Sequence, residues 1–91
     1  MNKAVRGSVQ GRVQGVGFRY FVQEIAEKFG IVGYVRNVNE DIVEFLAQGE
    51  EEDLNDFLAR IKNGPPMARV DRMVSTETMI NSKLQFFAIT H

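Results

Sequence analysis

Gly11-Arg12-Val13-Gln14-Gly15-Val16-Gly17-Phe18-Arg19 is the stretch from which the rest of the chain can be read. Three glycines in seven residues permit a sharp turn, positive φ angles and close approach of the backbone to a ligand. An apolar pattern of helical period starts at Phe18, so the loop empties into a helix N-terminus. Unpaired N–H groups there, with the positive end of the helix dipole, make a natural anion site. Arg19 adds a permanent charge and a planar fork of donors matched to phosphate oxygens. Gln14, Gly15, Val16, Gly17, Phe18 and Arg19 are therefore the candidate phosphate-binding residues.

Two familiar loops are excluded. A Walker loop needs Lys followed by Ser or Thr after its last glycine, and Phe18-Arg19 follows Gly17 instead. The dinucleotide fingerprint needs G-x-G-x-x-G and an acidic residue on the next strand end, and neither is present. Spacing alone still leaves a second reading open, a plain glycine-rich connection with Arg19 a solvated first-turn residue.

On either side of the loop the hydrophobic pattern is regular. Residues 3–11 alternate, with Val5, Gly7, Val9 and Gly11 expected to face inward, as in a half-buried strand. Phe18, Phe21, Val22, Ile25, Ala26 and Phe29 form the apolar face of a helix that Gly30 ends. Residues 31–38 read as a second strand and Ile42 to Gln48 as a third, with Val43, Phe45 and Ala47 on one face. Asn39-Glu40-Asp41 joins them as a hairpin. Glu50-Glu51-Glu52-Asp53 opens a second helix whose dipole these carboxylates complement, and Leu54, Phe57, Leu58 and Ile61 are its stripe. Asn63-Gly64-Pro65-Pro66 stops it. Residues 67–76 are expected as a fourth strand around Ala68, Val70 and Val74, and Leu84 to Ile89 as a short last one. The order βαββαβ, plus the short C-terminal strand, predicts an α+β chain of ferredoxin-like, split βαβ type. Its sheet is expected to be antiparallel with both helices on one face, in a single domain over residues 1–91.

Composition narrows the function. Of 91 residues, 44% are hydrophobic and 25% charged, as in ordinary soluble domains. No cysteine is present and the one histidine is His91, so Cys–His and Ser–His dyads and metal clusters are not expected. A formal net charge of −1 argues against nucleic-acid and membrane-surface binding. RNA recognition on such a sheet would need exposed strand aromatics and a basic surface, whereas the parity of Phe45 points it into the core. No apolar run approaches membrane-spanning length and no signal-peptide pattern follows Met1, so a soluble, cytoplasmic chain is expected, with a monomer as the default.

With these residues in view, the sequence resembles the acylphosphatase family. Gly11 to Arg19 looks like that family's first signature. Gly33-Tyr34-Val35-Arg36-Asn37, followed by Val43-Glu44 and Gly49, resembles its second. Gly64-Pro65-Pro66-x-Ala68-Arg69-Val70 and Phe87-x-Ile89 are similar to later family segments. The resemblance implies hydrolysis of the carboxyl–phosphate bond of small acyl phosphates to a carboxylate and inorganic phosphate, with no cofactor or metal. It implies catalytic roles for Arg19, holding the phosphoryl group with the loop amides, and for Asn37, orienting the attacking water. A non-catalytic phosphate- or acyl-phosphate-binding module, as within larger hydrogenase maturation factors, is the alternative. One departure stands out: the family's Asp-Gly turn is replaced by Asn39-Glu40-Asp41-Ile42, so a positive φ is expected at Asp41 or Asn39.

Overall fold

The computed structural model describes residues 1–91. Its elements are β1 (Asn2–Arg12), α1 (Phe18–Lys28), β2 (Val32–Asn39), β3 (Ile42–Glu50), α2 (Glu51–Asn63), β4 (Arg69–Thr78) and β5 (Phe87–Thr90). The strands form one sheet in the order β4-β1-β3-β2-β5. The first four are antiparallel as expected, and β5 joins β2 in parallel, so the complete sheet is mixed. α1 packs over β2 and β5, and α2 over β3, β1 and β4. Neither helix is long and apolar enough to cross a membrane.

One buried cluster fills the space between the sheet and the helices. Val9, Val43, Phe45 and Ala47 come from the sheet, Phe18, Val22, Ile25 and Ala26 from α1, and Leu54, Phe57 and Ile61 from α2. Phe45 faces this core, as its parity predicts, and meets Phe57 edge-on at 6.3 Å between centroids. Its ring needs room that only Gly7 leaves. The two residues are paired across β1 and β3, and a Cβ on residue 7 would lie 2.6 Å from Phe45 Cζ.

Three local expectations change. Ala4 is buried although its parity places it on the outer face, because Gln48 beside it is buried too and is bound to Asn81. Gln48 Nε2 donates to Asn81 O at 3.0 Å and Asn81 N donates back to Gln48 Oε1 at 2.8 Å, so the connection before β5 folds over that end of the sheet. Val74 faces solvent rather than the core. The β1–β4 register shifts at Gln10 and Gly11, leaving Asp71 as an extra residue, so Val70 and Met73 face inward and Val74 outward.

The hairpin without its glycine also closes differently. No non-glycine residue has a positive φ, so neither Asp41 nor Asn39 carries the strain expected of it. Instead the register shifts between Asn37 and Asn39, making Val38 an extra residue, and Asp41 N donates to Asn39 Oδ1 at 3.1 Å.

Candidate active site

The loop between β1 and α1 is held from both ends. At its start, Gly11 N donates to Asp41 O at 2.9 Å, fixing the end of β1 to the β2–β3 turn. At its end, Gly17 adopts a left-handed conformation (φ 74°, ψ 21°) as the N-cap of α1, and Gly15 has φ 70°. A side chain at either position would be strained in that conformation, so glycine is what lets the chain turn twice in three residues. Phe18, 2% exposed, anchors the first residue of the helix in the core.

This turn leaves a row of donors without partners. The amides of Gln14 to Gly17 bind no backbone acceptor. The first bond of α1 runs from Phe21 N to Gly17 O at 2.9 Å, so Phe18, Arg19 and Tyr20 precede the helical ladder. A pocket of about 170 Å³ opens beside them, lined by Val13, Gln14, Gly15, Gly17, Phe18, Arg19, Tyr20 and Asn37. Val16 does not line it. Its side chain packs against the core, which leaves only its backbone to the loop.

Asn37 reaches this pocket through the sheet register. It pairs with Val43, which pairs with Val9, so the three residues form one row across β2, β3 and β1. Val9 and Val43 are fully buried on the helix-facing side, so Asn37 projects from that side as well. Arg36, its neighbour, projects from the other face and forms an ion pair with Glu44. Arg12 is exposed, and Arg69 pairs with Asp71 at 2.8 Å.

Two polar atoms of residues that line the pocket are buried without a hydrogen-bond partner: Gln14 Nε2, a donor, and Asn37 Oδ1, an acceptor. Most buried polar atoms in proteins are paired, and each exception costs about 1–3 kcal/mol. These two unpaired atoms thus sit beside the Arg19 side chain and a row of amides without partners, in residues that line one pocket. Sequence reading located Gln14 by its backbone, but its side-chain amide becomes notable only once burial is seen. It did not single out Tyr20. That residue lies outside the apolar stripe of α1, and its signal was an exposed aromatic directly after Arg19.

Arg19 itself is tied to the far edge of the sheet, with Nη1 3.5 Å from Thr90 O. Gln23, one turn on, donates from Nε2 to Phe87 O at 3.1 Å. The two contacts bind α1 to the edge strand β5. No group of three or more His, Cys, Asp or Glu side chains stands close enough to hold a metal ion.

The chain is similar to known proteins along almost its whole length. The acylphosphatase family model matches residues 5–89. An acylphosphatase of Bacillus licheniformis is 46% identical over 83 residues, covering 91% of this chain and 92% of that protein. The crystal structure of acylphosphatase from Bacillus subtilis superposes with a TM-score of 0.92 at 42% identity, covering all of both chains. Full-length HypF, solved in a phosphate- and nucleotide-bound form, matches with a TM-score of 0.90 at 32% identity. There the match covers all of this chain but 12% of the larger one.

Proposed function

The chain belongs to the acylphosphatase family, and from that premise we propose that it hydrolyses acyl phosphates in the pocket between Gln14, Arg19 and Asn37 without a metal or cofactor. The observation that carries the assignment of these residues is the pair of unpartnered buried atoms, Gln14 Nε2 and Asn37 Oδ1, in the pocket that Arg19 also lines.

An acyl phosphate is a mixed anhydride whose leaving group, a carboxylate, departs without needing a proton. Phosphoryl transfer passes through a loose transition state, so the protein's task is to position groups and stabilise charge. Arg19, the amides of Gln14 to Phe18 and the Gln14 side chain donate to the non-bridging phosphoryl oxygens. Water attacks phosphorus as the bond to the carboxylate oxygen breaks, and that oxygen keeps the electron pair. Asn37 Oδ1 accepts a hydrogen bond from the water and aims it. A carboxamide cannot take up the proton at neutral pH. The proton therefore passes to a phosphate oxygen or to solvent. Membership of the acylphosphatase family over residues 5–89, with an acceptor at Asn37 that can hold a water, favours turnover over the binding module.

The test is hydrolysis of benzoyl phosphate in EDTA by the purified chain and by Arg19→Ala and Asn37→Ala. Turnover by the parent chain, lost in both variants with native circular dichroism, supports the assignment; full activity in both refutes it. Phosphate binding without turnover would favour the module. We further propose a cytoplasmic monomer, in keeping with a chain that has no cysteine and a net charge of −1. Sedimentation equilibrium checks the monomer, and cell fractionation the location.

A further inference from the structure

The phosphate pocket is too small to enclose a phosphoryl group together with a long acyl chain. Its 170 Å³ lies below the roughly 300–1,000 Å³ of sites that enclose whole small molecules. A second cleft of about 580 Å³ adjoins it and shares two of its walls, Arg19 and Tyr20. This groove runs between the solvent side of α1 and β5, with Gln23, Phe86, Ala88 and Ile89 among its lining residues. Its helical wall extends from Arg19 to Glu27, which is about 12 Å at the rise of an α-helix.

Three features suit the groove to an apolar chain. It shares Arg19 and Tyr20 with the phosphate pocket, so an anhydride held there by its phosphoryl end can extend its acyl group past Tyr20 into the groove. Tyr20 and Phe86 are each 70% exposed, and both front this groove, where an apolar guest would cover them. The groove is also preformed, because the Gln23–Phe87 hydrogen bond ties its helical wall to its strand wall.

We propose that the groove between α1 and β5 seats the acyl group of the substrate and favours uncharged, apolar acyl chains over acetyl. The proposal rests on the hydrolytic reading above. Alkyl acyl phosphates isolate the effect, since their leaving carboxylates are of similar basicity.

The experiment compares kcat/KM for acetyl, butanoyl, hexanoyl and octanoyl phosphate. The expected result is a rise of about tenfold or more from acetyl to octanoyl, within the range that methylene contacts give in apolar pockets. Phe86→Asp, at an exposed position, should remove most of the gain at the long end. Phe86→Leu should retain it. Acetyl phosphate turnover and inhibition by inorganic phosphate should stay within about twofold in both variants. A flat chain-length series with turnover intact, or an equal loss on all substrates in Phe86→Asp, overturns the acyl site alone. No turnover of any acyl phosphate overturns the hydrolytic reading and the acyl site with it.

Discussion

Arg19 Nη1 lies 3.5 Å from the carbonyl oxygen of Thr90, so the side chain proposed to grip the phosphoryl group also meets the last strand. The distance is long for a hydrogen bond and contributes little to stability, under about 1 kcal/mol. Arg19→Ala is therefore expected to lower kcat by about 100- to 1,000-fold, the usual loss of one donor to a transition-state charge. Its Tm should move by no more than about 5 °C. Arg19→Lys keeps the charge and loses the planar fork, so it should recover only a small part of the rate. A large drop in Tm with proportionate loss of activity would mean that Arg19 is chiefly a structural tie.

Asn37 and Gln14 should separate by kinetics. Asn37→Ala removes the acceptor for water and leaves the phosphoryl donors in place. kcat should fall by about 100-fold or more, while inhibition by inorganic phosphate changes little. Gln14→Leu removes a donor to a charged oxygen, and phosphate inhibition should weaken by about 10- to 100-fold. Because both substitutions remove a buried unpaired atom, neither should destabilise the fold, and Asn37→Ala should be neutral or more stable by about 1 kcal/mol. Urea denaturation and inhibition constants measure the two effects. Equal loss of phosphate affinity in both variants would refute the division of roles.

The fold was legible wherever period and punctuation agreed. The stripe from Phe18 to Phe29 ends at Gly30, and the acidic turn before Leu54 opens α2, so both helices could be placed to within about two residues. What the sequence hid were the places where an extra residue breaks the alternation. Val38 is an ordinary strand residue, and Asp71, although Asp is depleted in strands, does not by its type alone announce a bulge. Val74 was therefore expected to face inward, and the turn at Asn39 to carry a positive φ. The site divided the same way. Arg19 and Asn37 could be chosen by type and resemblance, whereas their meeting depends on Asn37, Val43 and Val9 sharing one row across three strands. The Gln14 side chain could be recognised only from burial, whereas Tyr20 carried a weak signal, an aromatic outside the apolar stripe of α1 and directly after Arg19.

Gly7 offers a test of the core that does not involve the pocket. An added Cβ would lie 2.4 Å from Val74 O and 2.6 Å from Phe45 Cζ, and the first contact is backbone that cannot rotate away. Gly7→Ala should destabilise by about 1–3 kcal/mol, as overpacking does, with kcat of the folded fraction unchanged. Gly7→Ala combined with Phe45→Leu should relieve the ring contact alone and recover only part of the loss. Chemical denaturation at 25 °C decides, and a neutral Gly7→Ala would mean that β1 and β4 are less closely apposed than the geometry states.

The pH dependence of stability can be signed from Lys3 and Glu51. Lys3 Nζ lies 2.8 Å from Glu51 Oε2, joining β1 to the first turn of α2. The hydrogen bond from Lys3, then its charge, holds the Glu51 carboxyl below its ordinary 4.5. The hydrogen bond to Glu51, then the carboxylate charges of Glu51 and Glu77, hold the Lys3 ammonium above its ordinary 10.5. Glu51 is the group whose folded value is depressed, so its contribution is complete above about pH 4.5 and is lost as pH falls through the folded value. Lys3 is raised, so its contribution is complete below about pH 10.5 and disappears as pH rises through its own folded value. Between these limits the pair should give a flat profile, and at this exposed position salt should weaken it. In Lys3→Met the Glu51 carboxyl should titrate closer to its ordinary range, followed by its side-chain carbon shift in NMR. A midpoint unmoved by that substitution would show that the two charges do not pair in solution.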